Sequence, residues 1–215
     1  MSQVTINRIA SVLRDQFDGH IDMSDWATRP ADLADTAFLS RALAAQCVRT
    51  LARTDPATAG AAIVDGFDDL GIDAVHFDAN ADTLILVQSK WSKNGNAAFD
   101  EGDVSKFVNG VRTLFNGSFE RFNSKLRSKE AQIREALYAS REIKIVLITS
   151  HTATQGIAIH VARVLSEFVA SLNDSVPIAE HFDFNQAGIY KLITAESKDP
   201  KITLQAVLAE WGVIE

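Results

Sequence analysis

Cysteine is nearly missing from this chain: Cys47 is the single one in 215 residues. One thiol closes no internal disulfide, and no cysteine cluster has the spacing of a zinc site. Proline (4) and glycine (11) are scarce as well, which excludes a loop-dominated, low-complexity or collagen-like chain. No apolar run approaches the roughly 18 residues that a membrane-spanning helix needs. The N-terminal segment carries charges throughout and lacks a continuous apolar stretch, so it does not read as a secretory signal. Positive charge is in deficit. Lys and Arg number 21 against 28 Asp and Glu, a net −7, which does not advertise a nucleic-acid binder. With neither disulfides nor a membrane segment, the expected compartment is the cytoplasm.

Several catalytic signatures are absent too. No GxxxxGK[ST], GxGxxG or GxSxG occurs, so neither the common nucleotide loops nor a nucleophile elbow is supported. The histidines, at positions 20, 76, 151, 160 and 181, share no metal-ligand spacing. His76 lies in an apolar strand pattern and reads as a half-buried structural residue.

What is present is an ordinary globular composition, 47% hydrophobic and 23% charged. That is enough apolar surface for one α/β core. Helical spacing of apolar residues predicts helices over 3–17, 31–53, 56–64, 101–116, 118–138, 154–172 and 185–194. Strand patterns occupy 72–77, 84–91, 143–149 and 177–184, with 202–208 as a closing strand and 78–82 as a hairpin turn. The third of these is apolar along its length and is expected to be covered on both faces. The order predicts an α/β fold with a mixed sheet flanked by helices. Residues 1–30 form an N-terminal helix and loop, and 31–215 the main domain.

Charge is unevenly spread. Residues 1–103 carry a net −8 and residues 104–215 a net +1. Within 105–134 the net is +5, from Lys106, Arg112, Arg121, Lys125, Arg127, Lys129 and Arg134 against Glu120 and Glu130. Phe107, Phe115, Phe119 and Phe122 are interleaved. The phenylalanines suit a core face. The cations suit either plain solvation or a phosphate backbone.

The hairpin carries the chemistry. A turn centred near residue 81 makes partner numbers sum to about 162 and sets Asp73 opposite residues 88–90. Gln88 and Lys90 share one face of their strand. A lysine ending an apolar strand is costly unless paired or used. An Asp–Lys pair with Gln88 satisfied by backbone is one reading. A catalytic constellation is the other.

The residues Gly66, Asp69, Gly71, Ile72 and Asp73, followed by an apolar strand ending Gln88-Ser89-Lys90-Trp91, resemble the PD-(D/E)XK nuclease superfamily. The variant is the Mrr-like one, with Gln in place of the acid. They resemble more closely the nuclease-like N-terminal region of the AIPR (abortive infection phage resistance) family. AFLSRAL at 37–43, GDVSKFVNGVRTL at 102–114 and AEWG at 209–212 are similar to it as well. The resemblance implies a restriction-endonuclease-like mixed sheet with an N-terminal helical extension. It implies Mg²⁺- or Mn²⁺-dependent endonuclease action on DNA in phage defence or restriction. It also implies a longer protein of which this is the N-terminal part, and a homodimer.

On that resemblance Asp73, Gln88 and Lys90 are the catalytic residues. Asp73 is the central metal ligand, with Gln88, the Ser89 carbonyl and Asp69 around it. Hard cations of this kind take oxygen donors. Lys90 would position or deprotonate the attacking water. The upstream helix acid of the superfamily falls to Asp35, with Asp32 beside it, although both also suit a helix N-cap. Asp65 and Asp68 read as solvated turn residues. Trp91, Lys93, Lys106 and Arg112 are the candidate nucleic-acid contacts; Trp91 equally suits packing, and the cations equally suit solubility. The neutral Gln88 and the poor match for a helix acid leave a second reading open, a non-catalytic nucleic-acid-binding or sensing module on a decayed nuclease fold. The overall acidity leaves a third, a protein-binding scaffold.

Overall fold

The computed structural model describes residues 3–152 and 157–196. The elements are α1 (Gln3–Phe17), α2 (Ala31–Ala52), α3 (Pro56–Ala61), β1 (Ala74–Asp78), β2 (Thr83–Lys90), α4 (Glu101–Phe115), α5 (Ser124–Arg127), α6 (Glu130–Ala139), β3 (Glu142–Thr149), α7 (Ile159–Leu172), β4 (Ala179–Phe184) and α8 (Gln186–Glu196). Single 3₁₀ turns sit at Ser24–Trp26 and Phe119–Arg121. The predicted closing strand at 202–208 and the AEWG segment lie outside the described residues.

The four strands form one mixed sheet in the order β1-β2-β3-β4. β1 and β2 are an antiparallel hairpin, with Ala74 opposite Val87 and Asp78 opposite Thr83. β2, β3 and β4 run parallel. Side-chain alternation along β2 splits the core in two. Leu84 and Leu86 face α4, α5, α6 and α7. Ile85 and Val87 face α1, α2, α3 and α8. Both parallel crossovers, through α4–α6 and through α7, therefore lie on one face, as crossovers of one hand do along a sheet that grows in one direction. The expected α/β architecture with a mixed sheet between helical layers is what the chain adopts. The N-terminal helix is part of it: Ile6, Ile9, Leu13 and Phe17 share a cluster with Ala74, Ile85 and Val87.

Two departures from the sequence pattern matter for the site. The strand predicted from residue 72 begins at Ala74, and its outer edge is covered by residues 62–65. The N–H groups of Val64 and Asp65 donate to Asp73 O at 2.9 and 3.1 Å, and Val75 N–H donates to Ala62 O at 3.0 Å. A short covered edge is protected from stray pairing. The helix predicted over 118–138 is broken into a 3₁₀ turn, α5 and α6. Asn123 is the physical reason. Its side-chain oxygen caps α5 by accepting from Leu126 N–H at 2.9 Å, and its amide nitrogen donates to Val64 O at 2.8 Å. Its backbone N–H reaches Asp68 O at 3.0 Å. An Asn that binds backbone groups locally competes with the helix ladder, and here it fastens the glycine-punctuated loop 65–71. No helix of the described residues is long and apolar enough to cross a membrane.

Candidate metal centre

The loop 65–71 folds back on itself around Asp69. Asp69 Oδ1 accepts from Gly71 N–H at 2.7 Å, and Oδ2 accepts from Gly66 N–H at 3.2 Å. Gly71 has φ +85°, and a Cβ there would meet Phe107 N at 3.0 Å and Gln88 Nε2 at 3.3 Å. Only glycine lets the loop pass so close to α4 at that dihedral. The chain then enters β1 through Asp73, whose N–H donates to Val87 O at 2.8 Å. One ladder step beyond the Ala74–Val87 pair, Asp73 faces Gln88, within the range expected from the hairpin pattern.

This path brings three carboxylates together. Asp65, Asp69 and Asp73 each offer an oxygen within 4.8 Å of the others. Asp65 is a correction to the sequence reading, which left it solvated in the turn. It is half-buried because Arg41 holds it: Arg41 Nε donates to Asp65 Oδ2 at 2.6 Å. Arg41 is fully buried in α2, and its remaining donors are occupied as well. The two terminal nitrogens reach Asp25 Oδ1 and Oδ2 at 2.8 and 2.6 Å, Asp22 O at 2.7 Å and Asp65 O at 3.1 Å. Burial works against this charge, but the Asp25 and Asp65 carboxylates outweigh it and hold the guanidinium above its ordinary range. The fork brings Asp25 down to about 2, chiefly through its hydrogen bonds.

The three acids are not equally compensated. Asp69 has Lys106, whose ammonium lies 3.0 Å from Oδ1. Asp65 has Arg41, with Lys125 Nζ 3.4 Å from its carbonyl. Among the described residues no cation pairs with Asp73. Its Oδ2 accepts from Ser89 N–H at 2.6 Å and Ser89 Oγ at 2.9 Å. Burial, then the charge of Asp65, push its carboxyl well above the usual carboxylate range. Burial also raises Asp65, against the pull of Arg41. A cluster that leaves one acid reluctant to ionise is short of positive charge.

The donor set fits a hard divalent cation. All three candidate ligands are carboxylate oxygens, and the hydrogen bonds from Arg41 to Asp65 and from Ser89 to Asp73 go to Oδ2, with none to either Oδ1 among the described residues. Ligands on opposite sides of Mg²⁺ lie about 4.2 Å apart, so a mutual reach of 4.8 Å is nearly closed. A buried orphan adds to this: among the described residues Gln88 Oε1 has no hydrogen-bond partner, while its Nε2 donates to Asp103 O at 3.3 Å.

No family model, curated protein or solved structure matches the chain.

The remaining candidates divide. Ser89 lies at the site, with its N–H and hydroxyl serving as donors to Asp73. Lys106 is there through Asp69. Lys90 stays near by, but its ammonium pairs with Asp103 Oδ2 at 2.6 Å, the acid that also closes the capping box of α4 with Asp100. Asp35 is not brought to the cluster. It pairs with Arg14 at 2.7 Å and Lys93 at 3.4 Å. Neither it nor Asp32 caps α2, because Pro30 occupies the N-cap. Lys93 is spent on Asp35. Trp91 is buried in the core against α1 and α2, the packing alternative. Arg112 lies 5.3 Å over the Phe168 ring. Arg41, Asp25, Lys125 and Asp103 were not foreseen. A signal existed for Arg41, a lone cation inside the apolar run of α2, which implies a buried acidic partner. The spacing of Asp65, Asp69 and Asp73 at every fourth residue was the other visible sign.

Proposed function

We propose that this chain is a divalent-cation-dependent nuclease domain that hydrolyses phosphodiester bonds of DNA in the cytoplasm, in a phage-defence or restriction setting. One observation carries the reading: the Asp65–Asp69–Asp73 cluster, with Asp73 buried and, among the described residues, without a cation of its own. The hairpin's resemblance to the PD-(D/E)XK and AIPR patterns supplies the reaction class. The three carboxylates would hold Mg²⁺ or Mn²⁺, with Gln88 as a further candidate oxygen donor, and the ion would supply water activation and neutralisation of charge on the phosphate.

The chain's own residues divide the remaining work. Ser89 fixes Asp73 through two hydrogen bonds to one oxygen, which leaves the other free to ligate. Arg41 holds Asp65 in place. Lys106, about half exposed on Asp69, is placed to donate to a non-bridging phosphate oxygen. Lys90 ends the central strand on the α4 side and reaches the reacting phosphate only by leaving Asp103. That pairing also favours a second reading, a binding module on the same scaffold that has lost its chemistry.

Cleavage of linear and supercoiled DNA separates the two. The purified protein is incubated with Mn²⁺, Mg²⁺ or EDTA beside Asp73→Asn, Lys106→Ala and Lys90→Ala. Metal-dependent cleavage is expected, absent in Asp73→Asn and reduced by about 10²-fold or more in Lys90→Ala, the scale of a proton-transfer group. Cleavage that survives EDTA, or that Asp73→Asn retains, removes the nuclease reading. Salt-sensitive DNA binding without cleavage favours the second.

A further inference from the structure

The loop that carries two of the three carboxylates also displays an aromatic ring. Phe67 lies between Asp65 and Asp69 and is 90% exposed. Burying such a side chain would stabilise the fold, a contribution forgone here. The exposure does not come from slack chain. Asp69 accepts the N–H groups of Gly66 and Gly71, one on each side of Phe67. Asn123 fastens Asp68 O at 3.0 Å and Val64 O at 2.8 Å. Asp68 and Leu70 both take positive φ, 61° and 53°, a conformation that costs non-glycine residues energy. Along this path Leu70 packs against the α4–α7 core, and Phe67 is left outside.

We propose that Phe67 is a stacking platform for a nucleobase of the substrate, beside the phosphate that the carboxylates address. This rests on the nuclease reading and narrows it to single-stranded or locally unpaired DNA, because a base inside a duplex has both faces covered. The reach is short: two residues span at most about 7 Å, so the Cα of Phe67 lies within about 7 Å of those of Asp65 and Asp69. The surroundings are polar and do not suit an apolar protein partner: the neighbours in the loop are Asp65, Gly66, Asp68 and Asp69, whose charge a bound divalent cation would offset, and the ammonium groups of Lys106 and Lys125 approach the same loop. Stacking is indifferent to base identity, since every base has a π-face. The contact therefore selects for an unstacked base rather than for a sequence.

The test is binding of a short single-stranded oligonucleotide carrying 2-aminopurine, in Ca²⁺ and in EDTA, to the wild type, Phe67→Ala and Phe67→Trp. Binding by the wild type is expected to quench the 2-aminopurine. Phe67→Ala is expected to weaken binding about 5- to 100-fold and abolish quenching, the range stacking contributes. Phe67→Trp is expected to restore both. The salt slope is expected to stay unchanged in Phe67→Ala and to fall by about one in Lys106→Ala, which removes a phosphate contact. Phe67→Ala that binds and quenches like the wild type overturns the proposal, and metal-dependent cleavage in that same variant leaves the nuclease reading standing. A wild type that binds no oligonucleotide in either condition overturns both.

Discussion

Asp73 shows how one residue can be readable and yet incompletely understood from sequence. Its place opposite Gln88 follows from the hairpin's two-residue period, but its lack of a cation depends on which side chains arrive from elsewhere. Its carboxyl is raised, so between the ordinary Asp value near 4 and its folded value the native state binds the proton that the unfolded state has released. Stability therefore falls as pH rises through that window and stays lower above it. Asp73→Asn removes this penalty and can still accept from Ser89. In EDTA at pH 7 the variant is expected to melt above the wild type, and to lose the wild type's stabilisation by Mn²⁺. Differential scanning calorimetry with and without the metal checks both.

Arg41 carries a different residue-scale prediction. Breaking a buried ion pair from one side typically costs about 3–5 kcal/mol, and Arg41→Ala is expected to lose that much in urea unfolding at pH 7. Its partner Asp25 has the opposite sign from Asp73. A carboxyl lowered to about 2 contributes stability that is fully present above the ordinary value near 4 and is lost as pH falls through 2. Asp25→Asn is expected to lower the urea midpoint at pH 7 and to converge with the wild type near pH 2. A constant difference across that range would place the effect in packing rather than in charge.

Among elements, α4 does the most to shape the site. Asp103 in its first turn holds Lys90, and Lys106 in its second holds Asp69. Gly110 lets it lie against the loop: a Cβ there would stand 2.4 Å from Leu70 O. Alanine is favoured over glycine in a helix by about 1 kcal/mol, so propensity alone predicts that Gly110→Ala stabilises. The backbone clash reverses the sign, because overpacking typically costs about 1–3 kcal/mol. Gly110→Ala is expected to lower the melting temperature and weaken Mn²⁺ binding, measured by calorimetric titration. The helices α1, α2 and α4 and all four strands were legible as elements because each has a clear apolar period. The segment 118–138 has such a period as well, but Asn123 spends its hydrogen bonds on the loop and splits the helix. A local period does not reveal that competition.

At the scale of the molecule, the acidic chain gathers its basic stretch onto the same helical layer that approaches the carboxylates. Lys106 and Lys125 from that stretch reach the site, while Arg112 packs on Phe168 and Arg134 on Phe119 at 4.6 Å. A ligand that binds only the folded state adds about 2.7 kcal/mol at 100 times its dissociation constant. For a domain of this size that is roughly 5–11 °C. Mn²⁺ at that excess is expected to raise the wild type's melting temperature by this amount. A shift equal to that given by K⁺ at matched ionic strength would assign the effect to general screening.

Residue order alone was enough for the α/β fold with its mixed sheet flanked by helices, the hairpin register and the meeting of Asp73 with Ser89 and Gln88, because all of these follow from short-range periodicity and one tight turn. It did not contain the partners. Asp65 is a surface turn residue until Arg41, 24 positions away, is buried beneath it. Lys90 is a strand-end cation without a known partner until the capping box of α4 places Asp103 under its ammonium. Electrostatic compensation in a low-dielectric interior is set by distances across elements, and those distances exist only once the helices have packed against the sheet.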